Sequence, residues 1–451
     1  MAPELLRTLL GWMKVLLSPA LTRPGFANAL VIFCGWVQTH GPHAVTQALV
    51  ASGVAGRRHH EAFHRFFSRG TWNPDALGRL LFDAIVVHLA TPGATLDLVL
   101  DDTLAEKKGA HVFGLSVHVD AKRSTKRFKV FTFGHVWVVL SIVVRVPFSQ
   151  RPWALPVLFR LYRTKKNCNR HRGKYFKKTE LAHEMLRIVA GWAPTARLRM
   201  SADCAYANET VLHDLPENMH FVGAMRPDAV LTALPTDADR KKTGRRRVRG
   251  VVLPKPSQLA RSTKHRWKKH TVFIYGASRT VECRTIDAQW YQAAGPRLLR
   301  IVVVRVPRGK IDMRVFFTTD TTMSIEDVVQ TYAGRWATEV TFRDLKQLLG
   351  FGDSQARKRT AVERTAPFVG FMLSTLVLWF AHDVHRAPEA KPPVRPWYPH
   401  KRGLCFADIV RTAQRVLVGV DVLDLANNVD NLRKHHTPRR RAAPTPESRA
   451  A

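Results

Sequence analysis

Apolar and polar positions change period along the chain, and the changes mark out its elements. The first 92 residues read as helices. MAPELLRTLLGWMKVLLSPALT is amphipathic, with Glu4 and Lys14 interrupting its apolar positions, and FANALVIFCGWVQTHG at 26–41 is an apolar helix stopped by Gly41 and Pro42. HAVTQALVASG then precedes GRRHHEAFHRFFSRG, in which Phe63, Phe66 and Phe67 share one side while Arg57, Arg58, His60, His64 and Arg65 take another. Short helix, Gly-containing turn (Gly53, Gly56) and second, basic helix form a helix-turn-helix pattern, which an ordinary bundle can also produce.

From residue 94 the period shortens. ATLDLVLDDTLAEKKG (94–109) opens with a β-like run, Leu96 to Leu100, that stops at Asp101 and Asp102. HVFGLSVHVD (111–120) and FTFGHVWVVLSIVVRVPF (131–148) read as its neighbours, KKTELAHEMLRIVAGW (177–192) as a helix, and RLRMSADCAYAN (197–208) as a short strand ending at Asp203. TVFIYGA, RLLRIVVVRVP and DMRVFFTTD are further strands, TYAGRWATEVTFRDLKQLLGF (331–351) is one continuous helix, and PFVGFMLSTLVLWFA (367–381) is a buried helix. RAPEAKPPVRPWYPHKRG (386–403) reads as a linker, LCFADIVRTAQRVLVGV as an amphipathic helix, and RKHHTPRRRAAPTPESRAA as a disordered basic tail.

Charge narrows the class. Lys and Arg number 71 against 35 Asp and Glu, a formal net charge of +36, so the expected partner is a polyanion, nucleic acid first and an anionic membrane surface second. The five cysteines are scattered without a CxxC pair, which argues for reduced thiols and against zinc. His59, His60 and His64 lack a well-spaced acidic or Cys partner and read as basic surface. No cleavable signal is evident, and the apolar run at 367–381 falls short of the roughly 20 residues of a membrane span, so the expectation is a soluble cytoplasmic protein.

Two features carry chemistry. Tyr332, Arg335, Glu339 and Lys346, at offsets of 3, 7 and 14, fall within an arc of roughly 60° on an ideal helix. A polar seam on a largely buried helix is costly unless something binds it, and one carboxylate among cations suits a metal ion flanked by phosphate, although an internal salt-bridge network would look the same. Asp101, Asp102 and Asp203 sit at strand ends, where α/β proteins place their chemistry, and strand alternation lets only one of the first two face a given site. Three carboxylates from separated segments can hold two Mg²⁺ or Mn²⁺ ions, an arrangement apt for phosphodiester chemistry.

LVLDDT, then SADCAYAN, then Tyr-x2-Arg-x3-Glu-x6-Lys resembles the DDE transposases of bacterial insertion sequences, in the branch with a YREK signature; Tyr332, Arg335, Glu339 and Lys346 match it at every spacing. The resemblance runs from about residue 20 to 425 and includes the DDT-x4-KG neighbourhood of Lys108 and Gly109. It implies an α/β, RNase H-like mixed sheet flanked by helices. Asp203 and Glu339 would be two of the three metal ligands, and either Asp101, which fits better, or Asp102 the first. It implies cleavage at element ends and transfer to target DNA, with double-stranded DNA as partner, a homodimer on DNA, and a bacterial, nucleoid-associated location. Arg335 and Lys346 would hold phosphates, with Tyr332 beside them. Asp203 and Glu339 are 136 positions apart, room for a β-rich insertion with basic loops, DRKKTGRRRVRG (239–250) and TKHRWKKH (263–270), where Trp267 is a candidate stacking side chain. Arg57, Arg58 and Arg65 are candidate DNA contacts. The divisions implied are 1–92 helical, 93–230 and 323–385 the catalytic core, 231–322 the insertion, and 386–451 linker, helix and tail. The rival readings are a nuclease of this fold that does not transpose and a DNA-binding derivative that has lost catalysis.

Overall fold

The computed structural model describes residues 2–109, 111–236, 247–307, 313–392, 396–397 and 403–428. Most of the basic loop at 239–250, part of the proline-rich segment and the C-terminal tail from 429 lie outside the described residues.

The N-terminal region is helical as expected: α1 (Ala2–Leu17), α2 (Arg23–Gln38), α3 (Val45–Ala51), α4 (Glu61–Ser68) and α5 (Pro74–Leu89). Thr22 and Asn73 cap α2 and α5 by accepting from the N–H groups of Gly25 and Asp75. A Cβ at Gly35 would stand 2.0 Å from the Ala48 carbonyl oxygen, so glycine is what lets α2 and α3 approach. The turn after α3 uses Gly53 and Gly56, both at positive φ. It delays the next helix to Glu61, so Arg57 and Arg58 precede the basic helix rather than lying on it.

Four strands follow: β1 (Leu96–Glu106), β2 (Ser116–Val119), β3 (Phe131–Val144) and β4 (Trp153–Tyr162). After α6 (Lys165–Arg170) and α7 (Lys178–Trp192) come β5 (Leu198–Ala202), α8 (Glu209–Leu212) and β6 (Met219–Ala224). The insertion contributes β7 (Leu231–Thr232), β8 (Val252–Leu253), α9 (Pro256–Arg261), β9 (Lys268–Ile274), β10 (Ala277–Gln289), α10 (Tyr291–Ala294), β11 (Leu298–Arg305) and β12 (Arg314–Thr318). The chain closes with α11 (Ile325–Gly334), α12 (Trp336–Leu348), α13 (Arg359–Trp379), α14 (Phe406–Leu417) and α15 (Val422–Asn427).

The strands form one mixed sheet in the order β2-β3-β1-β5-β6-β12-β11-β10-β7-β8, with β4 on β3 and β9 on β10. β4, β3 and β1 run antiparallel, β1, β5 and β6 run parallel, and β12 pairs antiparallel with β6. This is the mixed α/β sheet flanked by helices that the sequence led us to expect. The insertion is built onto its edge through β12 instead of standing apart. Helices cover both faces near β1: α12 touches β1 and β4, and α7 touches β3 and β4.

α13 is the central core helix. The stretch Arg359–Val384 is long and apolar enough to cross a membrane, longer than the sequence suggested, yet 94% of its apolar window is buried in protein. Phe368 meets Phe66 and Phe67 of α4 at 5.6 and 5.5 Å between ring centroids, and all three are buried. Burial of such a side chain contributes roughly 1.5–3 kcal/mol. Leu5, Ile32, Phe82, Leu158, Leu376 and Ile409 belong to the same hydrophobic cluster, so the N-terminal helices and α14 share one core with the sheet.

Candidate active site

β5 is shorter than β1, and this difference opens the site. The two strands pair in parallel from Leu96↔Leu198 to Leu100↔Ala202, where β5 stops. Asp101 and Asp203 immediately follow that last pair, side by side at the carboxyl ends of the parallel pairing, where ligands of open α/β sheets lie. β1 itself does not end at its aspartates, contrary to the sequence expectation. β3 is 14 residues long and carries β1 on to Glu106, with Asp101 opposite Val139 and Asp102 opposite Val138. Asp203 caps a 3₁₀ turn, Cys204–Tyr206, accepting from the Cys204 N–H at 2.6 Å.

The seam helix is two helices. It breaks at Arg335, where the Arg335 N–H bonds the Tyr332 carbonyl (3.2 Å) and the Thr338 N–H bonds the Arg335 carbonyl (3.0 Å) in place of the α pattern. The turn delivers the Arg335 guanidinium between two acids: Nη1 lies 2.7 Å from Asp101 Oδ2 and Nη2 3.3 Å from Glu339 Oε1. Nε is buried with no partner. The guanidinium also feels the charge of Asp203, so one cation sits in the field of three carboxylates. Its carbon lies 5.7 Å from the Tyr332 ring centre, and Tyr332 packs on Phe316 at 4.4 Å.

Burial, with smaller contributions from the charges of Asp102 and Asp203, pushes Asp101 up to about 6, against the opposing pull of Arg335 and of the Asp102 N–H. Asp102 points to the opposite face, where its carboxylate accepts from the Tyr206 hydroxyl (2.9 Å) and from Lys178 Nζ (2.6 Å). Sequence reasoning passed over Tyr206 and Lys178. Tyr206 lies three residues after Asp203 in the motif, and a buried phenol there needs an acceptor. Lys346 does not reach the carboxylates. Its Nζ donates to the Leu104 carbonyl further along β1 (2.7 Å), and burial lowers it to about 8.

The remaining candidates are dispersed. Arg57 makes a two-pronged pair with Asp421 (2.9 and 3.0 Å), Arg65 pairs with Glu61 on α4, and Arg58 lies over Phe63. Arg57 and Arg65 are therefore engaged within the protein instead of forming a free basic helix face. Trp267 is half-buried beneath the guanidiniums of Arg284 and Arg305, at 4.4 and 4.2 Å, so its ring is not an open stacking platform.

As placed, no three His, Cys, Asp or Glu side chains among the described residues stand close enough together to hold a metal ion. The donor set nevertheless suits a hard divalent cation in kind. Three carboxylates surround a single positive group, and that group's Nε is buried without a partner.

Residues 17–289, more than half of the chain, match the family model described as DDE superfamily endonuclease, a span that includes Asp101 and Asp203. Residues 296–387, which include Glu339, match the model described as archaeal putative transposase ISC1217. Among solved structures, the piggyBac transposase synaptic complex with hairpin DNA is similar at a TM-score of 0.43 and 10% identity, covering 96% of this chain and 81% of that one. No curated protein matches in sequence.

Proposed function

Because the chain belongs to the DDE superfamily of endonucleases, we propose that it is a DNA transposase that cleaves at the ends of its element and joins them to target DNA, with Asp101, Asp203 and Glu339 as its acidic triad. The observation that carries this reading is the shared Arg335 guanidinium, held by Asp101 and Glu339 within the field of Asp203 at the end of the β1 and β5 pairing. Acids gathered around one cation are a donor set that would suit Mg²⁺ or Mn²⁺, two ions on this reading. Enzymes of this superfamily generally use divalent metal ions. When bound, such ions activate water or a 3′-hydroxyl and offset charge on the leaving oxygen.

The residues then divide the work. Asp101, Asp203 and Glu339 would hold the ions; Asp102 faces away and keeps the strand and the Asp203 turn in place. Arg335 moves from the carboxylates to a backbone phosphate, with Tyr332 as the wall against which it turns. Tyr332, Arg335, Glu339 and Lys346 are read as the YREK set, with Lys346 meeting DNA from α12, where it lies over the far part of β1. No protein nucleophile is needed. The partner is double-stranded DNA, a second copy of the chain is needed where two ends are held together, and the place of action is the nucleoid.

The test uses a supercoiled plasmid carrying the element with its flanking DNA. Wild-type protein with Mg²⁺ nicks at the element boundary, and Asp203→Asn binds the same DNA without nicking it. Nicking by Asp203→Asn at the wild-type rate would overturn the assignment.

A further inference from the structure

The hairpin β2–β3 takes no part in the chemistry above, yet it is built unlike the rest of the surface. Val117 pairs with Phe133 and Val119 with Phe131, and alternation puts all four on one face. They are exposed by 46, 60, 49 and 64% respectively, and Phe128 in the connecting turn by 68%. The other face is occupied: the His118 ring packs near Tyr162, and Ser116 Oγ bonds Thr164 Oγ1 at 3.1 Å. An apolar row on an outward hairpin face costs free energy in water and marks an interaction surface.

Charge identifies the occupant. Residues 121–130 carry Lys122, Arg123, Lys126, Arg127 and Lys129 and no acid. Arg123 is tied to Glu106 and Asp120, which fixes the turn to the end of β1, while Lys122, Lys126, Arg127 and Lys129 form no ion pair with the described residues. The Asp120 carboxylate accepts the Lys122 and Arg123 N–H groups and holds the turn in shape. Lys122 and Asp120 are close enough to Lys346 to shift its proton affinity in opposite directions, so the arm begins beside Lys346, at the far end of β1 from the carboxylates. Glu106, where it is tied, lies about 16 Å along β1 from Asp101. Aromatic rings interleaved with unpaired cations suit an unpaired nucleic-acid strand, whose bases stack while its phosphates are neutralised.

We propose that the Ser116–Gly134 hairpin is a DNA-docking arm, on which unpaired nucleotides some distance along the strand from the carboxylates stack against Phe131 and Phe133 while Lys126, Arg127 and Lys129 take the adjoining phosphates. This rests on the reading of the chain as a DNA-cleaving enzyme but not on the identity of its triad.

Full-length protein in EDTA is titrated into two fluorescein-labelled DNAs that share one duplex, one blunt and one with a single-stranded overhang. Wild type binds the overhang DNA more tightly. Phe131→Ala with Phe133→Ala weakens overhang binding by about 10–100-fold and blunt binding by no more than about twofold, because both side chains are exposed and the stacking is lost without loss of fold. Lys126→Ala, Arg127→Ala and Lys129→Ala together weaken both DNAs and reduce the slope of log affinity on log salt by about 2–3. Wild-type overhang binding by the double Phe variant overturns the proposal. So does a shift from dimer to monomer in sedimentation with DNA affinity per protomer retained, which would make this face a contact between copies. Failure of the wild type to nick, with the arm variants still losing overhang binding, removes the endonuclease reading and leaves the arm.

Discussion

Asp101 and Asp102 are neighbours on β1, each beside a cation, and they are held in different ways. Asp102 has two donors of its own, Tyr206 and Lys178, from the turn after β5 and the first turn of α7. Asp101 has a share of Arg335, which also leans toward Glu339 at 3.3 Å and leaves its own Nε buried without a partner. The first arrangement locks two elements together. The second leaves a positive charge that a stronger cation can displace at small cost, because the bonds it loses are incomplete. One step along a strand thus separates a carboxylate tied into the packing from the one proposed to take part in the chemistry.

The largest expected effect lies in the contrast itself. Asp101→Asn lowers plasmid nicking by on the order of 10⁴-fold, as for groups that act as a unit, whereas Asp102→Asn, which keeps an acceptor for Tyr206, stays within about tenfold of wild type. Equal losses in the two variants would erase the distinction between the faces.

Arg335→Ala comes next. The side chains of Arg335, Asp101 and Glu339 are only 15, 18 and 31% exposed, so removing the cation leaves two half-buried acids facing each other at a cost of about 3 kcal/mol in EDTA. Mn²⁺ replaces the missing charge, and thermal melting then shows a larger Mn²⁺-induced stabilisation in the variant than in wild type. A variant that melts like wild type in EDTA and gains nothing from Mn²⁺ would mean that the three acids do not share one field.

Much of this was legible along the chain because it depends on local pattern. The β1, β5 and α7 segments, the buried α13 and the amphipathic α14 all follow from periodicity, and Asp203 falls where its strand stops. What escaped notice depends on distant partners. β4 carries Pro156, which reads against a strand, but it is an edge strand and the proline sits at a β-bulge where the register with β3 shifts between Leu140 and Ser141. β6 is short, and β10 is half exposed, so neither shows a strong apolar run. The break at Arg335 had one local signal, Gly334, and the extension of β1 past its aspartates depends on the length of β3. The engagement of Arg57 by Asp421 and of Trp267 by Arg284 and Arg305 was not legible because those partners are far away in sequence.

A smaller effect sharpens the comparison on α12, where the half-buried Lys346 reaches over to the Leu104 carbonyl of β1. Burial lowers its pKa from 10.5 to about 8. Between those values the unfolded chain holds a proton that the folded chain has lost, so stability rises with pH across that window, and as pH falls from 10.5 the penalty of the desolvated charge accumulates until it is complete below about 8. Lys346→Met removes this rise and stabilises the protein at pH 7 by on the order of 2 kcal/mol. Melting temperatures from pH 7 to 10 check both, and a parallel shift of the two curves would refute the burial argument.

The smallest effect tests what holds Asp203. Tyr206→Phe keeps a ring that is 2% exposed and deletes only the hydroxyl that donates to Asp102, so stability falls by about 1 kcal/mol and Lys178 still serves the carboxylate. The turn that begins at Asp203 ends at Tyr206, so loosening that anchor moves Asp203, the proposed metal ligand, without removing it. The Mn²⁺ concentration for half-maximal nicking should rise by about tenfold, with the rate recovered at saturation, as expected when an outer partner of a ligand is lost. Should Tyr206→Phe melt earlier while its Mn²⁺ titration overlays that of wild type, the Asp102 face would serve packing alone, and the two aspartates would be independent of each other.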